Sequence, residues 1–342
     1  MQPIRSTPVA RQASKGRRRT VSISRERVAL AVRRAAPWAI AAAILWWLFD
    51  RVPLAEAWTA TAQAHLLEFG LVTALLVTAW WLLESRAFAY LFTRFNDTRV
   101  TWKEARALRG LTYLATPINW NLGTAAIVLH LRRSKGIGAI QSTSTMLFYG
   151  VIDLLVLSTL ALIGASALPD SPVIAPIQRG AAIADGLAIA TLVVSMTSRP
   201  RWRWLERIRG AGIFASQRRA TLADVAVLSG VRTCYFGGFV LYFWLGAWAF
   251  NASVPALLAL AATPVILVVQ SLPITPAGLG TQQAAMLYFF APYAAEARVL
   301  AFSLSFPVAL IVARLPLGLI YVRDLAALRE SRRIISASSG ST

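Results

Sequence analysis

The chain has 342 residues, 57% of them hydrophobic and only 15% charged, with a mean hydropathy of +0.57. Soluble domains carry about a quarter charged residues, so this composition excludes a water-exposed globule and selects a chain whose surface meets lipid. The net charge of +20 would suit nucleic acid, but the basic residues fall between apolar runs, so the positive-inside rule accounts for them and nucleic acid is excluded as a partner.

Residues 1–34 carry ten Lys and Arg side chains against one acid, Glu26, with no apolar period before Val28. They read as a disordered basic tail that either holds the N-terminus in the cytoplasm or binds anionic headgroups. Bulky Trp46, Trp47 and Phe49, and the many apolar runs that follow, argue against a cleaved signal peptide.

A membrane helix needs about 20 apolar residues. Candidate runs lie near 35–50, 64–83, 110–131, 145–167, 178–197, 224–250, 255–272, 278–293 and 299–322. Loop charge orients them. The basic segments 84–109 and 198–222, and the end with Arg323, Arg329, Arg332 and Arg333, read as cytoplasmic. The base-poor segments 51–63, 168–177 and 251–254 read as outside.

Arg132, Arg133 and Lys135 break this alternation, because they follow the run 110–131 where an outside loop would fall. That run therefore enters and returns on one side. Its centre, Thr116-Pro117-Ile118-Asn119-Trp120-Asn121-Leu122-Gly123-Thr124, interrupts a continuous helix. The stretch Leu272-Pro273-Ile274-Thr275-Pro276-Ala277-Gly278-Leu279-Gly280-Thr281 repeats the device, with both ends on the opposite side. The expected fold is an all-α polytopic membrane protein, an inverted-repeat bundle of about six spanning helices plus two re-entrant broken hairpins. Membrane repeat one covers 35–167 and repeat two 178–323, followed by a cytoplasmic tail, 324–342.

Paired Gly/Pro-interrupted segments point to a transporter's substrate site, although they can also serve only as packing kinks. Thr116, Asn119, Asn121, Gly123, Thr124, Thr275, Gly278, Gly280, Thr281 and Gln283 are the candidate substrate-binding residues. Helix ends at mid-depth favour anions through unpaired N–H groups and the helix dipole.

Charges inside apolar runs cost about 2.5–3.5 kcal/mol each on insertion scales. Asp153, Arg232 and Arg314 lie at similar depth, about 12 Å into their spans, so all three can meet. They form a gate or headgroup clamp, or else a structural ion pair with snorkelling arginines; snorkelling is preferred for Arg232. Cys234 is the sole cysteine, and His65 and His130 lie far apart, so no disulfide, metal or cofactor is expected. No placed acid–base pair, phosphate loop or nucleophile–base set is present, so no enzyme is expected.

Leu272, Pro273, Pro276, Gly278, Leu279 and Gly280 match a pattern L-P-x-x-P-G-G-L-G-x-x-E, and Gly123, Arg132, Arg133, Gly136 and Asp153 follow a second, N-terminal pattern. On these residues the chain, from about 35 to 323, resembles the lysylphosphatidylglycerol synthase transmembrane region family. That family includes the lipid-flipping domain of bacterial multiple peptide resistance factors. The resemblance implies a flippase of the cytoplasmic (inner) membrane, both termini cytoplasmic, moving a lipid with a polar or anionic headgroup by alternating access. Alternatives are a non-transporting scaffold of an envelope-lipid or polysaccharide pathway, and a membrane-embedded lipid or glycosyl transferase. Thr124, Ile127, Tyr149-Gly150 and Gln283 stand where the family usually has charged residues. No soluble synthase domain follows residue 323, so lysyl transfer is not implied.

Overall fold

The computed structural model describes residues 28, 35–115, 120–197, 212–272 and 274–338, without the side chains of 115, 120–126, 134, 277 and 323–338. Among the described residues every regular element is helical. In chain order these are α1 (Ala35–Arg51) and α2 (Leu54–Ala62), α3 (Leu66–Phe95), α4 (Trp102–Ala115), α5 (Trp120–Lys135), α6 (Ala139–Ser166) and α7 (Ile174–Met196). Then come α8 (Ala215–Arg219), α9 (Leu222–Ala249), α10 (Ala256–Ser271), α11 (Thr281–Phe290) and α12 (Glu296–Ser338).

The protein is a polytopic α-helical membrane protein. α3, α6, α7, α9 and residues 296–322 of α12 are each long and apolar enough to cross a bilayer, and the bent pair α1–α2 makes a sixth candidate. The 76° bend falls at Val52-Pro53, where proline removes a backbone donor and pushes its predecessor out of helical geometry. Leu67, Leu71 and Leu75 on α3 and Leu187, Ile189 and Val193 on α7 are exposed, as lipid-facing positions should be.

Specific contacts fix the bundle. Thr221 and Asp224 form a capping box that starts α9. Asp224 also accepts from Tyr90 Oη at 2.5 Å and from Arg94 Nε at 3.1 Å, which joins the start of α9 to the end of α3. Trp80 stacks on Phe239 with ring centroids 3.9 Å apart and donates to Tyr235 O. Phe69, Tyr242, Phe243, Phe250, Phe302 and Phe306 extend this aromatic core among α3, α9 and α12. At Gly164 a Cβ would lie 2.5 Å from Ala261 N, so α6 and α10 meet only because glycine stands there.

Two polar networks mark the ends of the bundle. At one end Asp97 pairs with Arg219, Thr145 donates to Asn96, and Lys135 Nζ lies 2.6 Å from Glu104 Oε1. At the other, Arg51 Nε lies 2.8 Å from Glu296 Oε2, and Arg298 and Asn251 donate to Asn251 O and Gln63 O respectively. α4 and α5 pack together, and Lys135 at the end of α5 returns to Glu104 at the start of α4. The first hairpin therefore opens at the first end. α10 and α11 form the second hairpin, which opens at the other end. The expected reversal of 110–131 is thus present, with α4 ending at Ala115 and α5 beginning at Trp120.

One sequence expectation is modified. The helix containing the run 64–83 continues to Phe95, so much of the expected 84–109 loop lies in the bundle. Helix α12 runs to Ser338, through most of the segment read as a tail. The basic tail 1–34, apart from Val28, lies outside the described residues.

Candidate functional site

The buried face of α3 repeats at three- and four-residue steps: Phe69, Thr73, Val77, Trp80, Glu84, Phe88, Leu91, Phe95. Glu84 therefore occupies a core position. Two arginines converge on it. Arg109 Nη2 of α4 pairs with Glu84 Oε2, and Arg232 Nη1 of α9 lies 3.5 Å from Glu84 Oε1. Arg232 Nε pairs with Asp153 Oδ1 of α6, and its Nη1 donates to Tyr149 Oη at 2.9 Å. Two acids thus face two bases across four helices.

Glu84, Arg109 and Arg232 are each at most 3% exposed, whereas the Asp153 side chain is 28% exposed and forms the accessible corner. Aromatic faces close the node: Tyr235, Phe236 and Tyr149 lie 4.0, 4.4 and 4.7 Å from the Arg232 guanidinium carbon. Glu84 lies about 16 Å from the end of α3, and Arg232 about 15 Å from the start of α9, at the helical rise per residue. The node is thus well inside the bilayer-sized part of the bundle.

Asp153 and Arg232 meet as expected. Arg232 does not snorkel, because two carboxylates inside the bundle hold it. Arg314 does not join them. Its guanidinium carbon lies 5.1 Å from the Tyr113 ring, and that of Arg109 lies 5.0 Å from the same ring. Among the described residues no ion pair involves Arg314, and its buried Nε has no hydrogen-bond partner. Arg314 thus sits beside the last described turn of α4 with donor capacity to spare.

Of the first break, Thr116 and Asn119 lie outside the described residues; Asn121, Gly123 and Thr124 fall in the opening turns of α5, their side chains not described. α4 packs closely on α12: a Cβ at Gly110 would lie 2.9 Å from Leu317 O, and one at Gly318 2.5 Å from Leu114 Cδ2.

The second break is described nearly throughout, and its polar groups bond to one another. Thr275 and Thr281 hydroxyls lie 3.2 Å apart, and Thr281 donates to Gly278 O at 3.0 Å. Gln283 accepts from Gly280 N at 2.7 Å and donates to Ser303 O at 3.3 Å, which ties the start of α11 to α12. Gly278 and Gly280 have φ of +74° and +84°, the left-handed region that side chains disfavour. Both hairpins pack on α12, which forms their common wall.

Glu84 escaped the sequence reading because the hydropathy of α3 falls before the helix ends, and Arg109 of α4 was read only as one of the cytoplasmic bases of the segment 84–109. The three–four spacing through Trp80, Glu84 and Phe88 was the available signal. Asp185, midway along α7, was not singled out either; it is half-buried beside the buried stripe Ile174, Ile177, Ala181, Ala188, Leu192.

The family model described as Lysylphosphatidylglycerol synthase TM region matches residues 34–318. No curated protein and no solved structure matches the chain.

Proposed function

We propose, from the premise that the chain belongs to the lysylphosphatidylglycerol synthase transmembrane region family, that it moves a lipid with an anionic headgroup across the cytoplasmic membrane by alternating access, with both termini on the cytoplasmic side. Membership implies a membrane protein of lipid metabolism or transport. The observation that carries the finer reading is the pair of hairpins opening at opposite ends of the bundle and sharing α12 as a wall. Broken helices in such paired positions suit a mid-depth polar site. Arg314, on that wall with an unpartnered Nε beside Tyr113, is the group offered to a lipid phosphate. The reading contains no covalent step, and its partners are membrane lipids.

A scaffold role has one observation in its favour: Thr275, Thr281 and Gln283 are already engaged within the protein. Liposomes bearing fluorescent phosphatidylglycerol, bleached from outside by dithionite, separate the two. Wild-type protein should expose inner-leaflet lipid, and Arg314→Gln should slow this about tenfold or more, the loss of one charge-assisted hydrogen bond. Equal bleaching of empty and protein-bearing liposomes would leave the scaffold. Arg314 suits this test better than Gly278 or Gly280, where positive φ would mix misfolding with lost transport.

A further inference from the structure

We propose that Arg86 and Arg106, stacked on Trp102 where α3 meets α4, hold the phosphate of an anionic phospholipid at the edge of the bundle. The Arg106 guanidinium carbon lies 4.1 Å from the centre of the Trp102 ring, and that of Arg86 lies 4.7 Å from it. Trp81 completes the setting. Its ring centre is 5.9 Å from the Arg106 guanidinium carbon, and its indole N–H donates to Arg106 O at 3.1 Å. Two like charges less than about 9 Å apart repel each other, so their shared seat on one indole calls for an anion.

The neighbouring acids do not supply that anion. Glu84 is held by Arg109 and Arg232, Asp97 by Arg219, and Glu104 by Lys135. Asp224 of α9 is held by Arg94, and Glu68 lies beside His65 at the opposite end of α3. Among the described residues neither Arg86 nor Arg106 has an ion pair, and Arg106 Nε is buried without a hydrogen-bond partner. Arg99 and Lys103, exposed just before and at the start of α4, add positive charge and no acid.

The surroundings select a lipid over a soluble anion. Leu71, Leu75, Leu82 and Arg86 follow one another at four- and seven-residue steps, which keep them on one face of α3. Leu71 and Leu75 are exposed, Leu82 is half-buried and Arg86 is exposed. A lipid-facing stripe thus ends in a guanidinium about 16 Å beyond Leu75, at the helical rise per residue. Acyl chains have the leucines to lie along, and the phosphate has the two arginines. Trp81 and Trp102 suit the depth at which hydrocarbon gives way to headgroups. A guanidinium stacked on an aromatic face keeps its planar fork oriented for phosphate oxygens. Holding a lipid here requires no lipid movement, so the proposal does not rest on the transport reading.

The test is native mass spectrometry of the full-length protein in detergent, titrated with phosphatidylglycerol. Wild type should retain this lipid at concentrations where phosphatidylcholine is not retained. Arg86→Gln, a change to an exposed side chain, should weaken retention about fivefold, and Arg86→Gln with Arg106→Gln about twentyfold or more, given what each basic group contributes near an anionic headgroup. Arg99→Gln with Lys103→Gln removes the same charge nearby and should change retention less than about twofold, because neither side chain belongs to the stacked pair. Repeating the series in Arg314→Gln keeps a lipid held at α12 out of the count, and the weakening should be the same there. Equal weakening by the Arg99 and Lys103 changes would show that diffuse charge holds the lipid and overturn the proposal. So would equal retention of phosphatidylcholine, unchanged retention in the double arginine variant, or a weakening that disappears in Arg314→Gln. Displacement of the lipid by millimolar inorganic phosphate would assign the pair to a soluble anion and overturn it as well.

Discussion

The charged node among α3, α4, α6 and α9 and the break at the tip of the second hairpin are both buried and polar, yet they meet the cost of burial differently. The node balances Glu84 and Asp153 against Arg109 and Arg232 and surrounds them with aromatic faces. The break carries no charge and is satisfied by short-range hydrogen bonds from Thr275, Thr281 and Gln283. Buried charges tie distant helices together, since their partners come from different parts of the chain. The neutral break holds its own turn and fastens it to α12 through a single bond to Ser303 O. A perturbation of the node should therefore spread through the bundle, and one at the break should stay local.

The largest effect is expected at Glu84. Glu84→Gln leaves two buried guanidiniums facing one carboxylate, and breaking a buried pair costs about 3–5 kcal/mol. The thermal midpoint of the purified protein should fall steeply. Glu84→Gln combined with Arg109→Met leaves Asp153 facing Arg232 and should be less damaging than Glu84→Gln alone. Additive losses would show that the node does not act as a balanced unit.

The next effect separates the two glycines of the break. A side chain in the left-handed region costs roughly 1–2 kcal/mol. Gly278→Ala also brings a Cβ to 2.7 Å from Gln270 Cγ and 3.0 Å from Gln270 O, whereas at Gly280 the nearest atoms are those of the Ile44 side chain, at 3.2 Å. Gly278→Ala should therefore lose more stability than Gly280→Ala. Equal losses would mean that φ alone decides.

This contrast also explains what could be read from the sequence. The second break was legible, because proline and glycine act through local backbone geometry. The first hairpin was legible from Arg132, Arg133 and Lys135, whose charge fits one side of a membrane. The node was only half legible. Asp153 and Arg232 stand out inside apolar runs, but Glu84 and Arg109 lie where hydropathy declines, and burial there depends on which helices pack against α3. Asp185 sits in an apolar run yet went unread, since its place opposite Ser158 and Thr159 exists only once α6 and α7 pair. The state of Gln283 was likewise hidden, because its second partner lies 20 residues away.

Gln283→Glu restores the acid that the family pattern has at this position and gives a smaller effect. The carboxylate keeps the bond from Gly280 N but cannot donate to Ser303 O, leaving an acceptor facing an acceptor. The loss should be about 1–3 kcal/mol, the cost of an unmade buried bond. Unchanged stability would mean that the acid takes a proton there or that α11 shifts on α12.

The smallest effect is expected at the bundle end, where Arg219 Nη2 lies 2.6 Å from Asp97 Oδ1 and holds the Asp97 carboxyl below its ordinary value, against a weaker opposing effect of burial. Asp97 has φ +51°, which asparagine tolerates as well as aspartate, so Asp97→Asn tests the charge and not the turn. A carboxyl with a depressed folded-state value adds stability above its unfolded value, about 3.9, and loses it as pH falls through the folded value. Wild type and Asp97→Asn should therefore differ slightly at neutral pH, less in high salt, and converge in acid. The pair is exposed on both sides, so water competes for each charge. If Asp97→Asn cost as much as Glu84→Gln, the distinction between charges that organise the bundle and charges that decorate its end would fail.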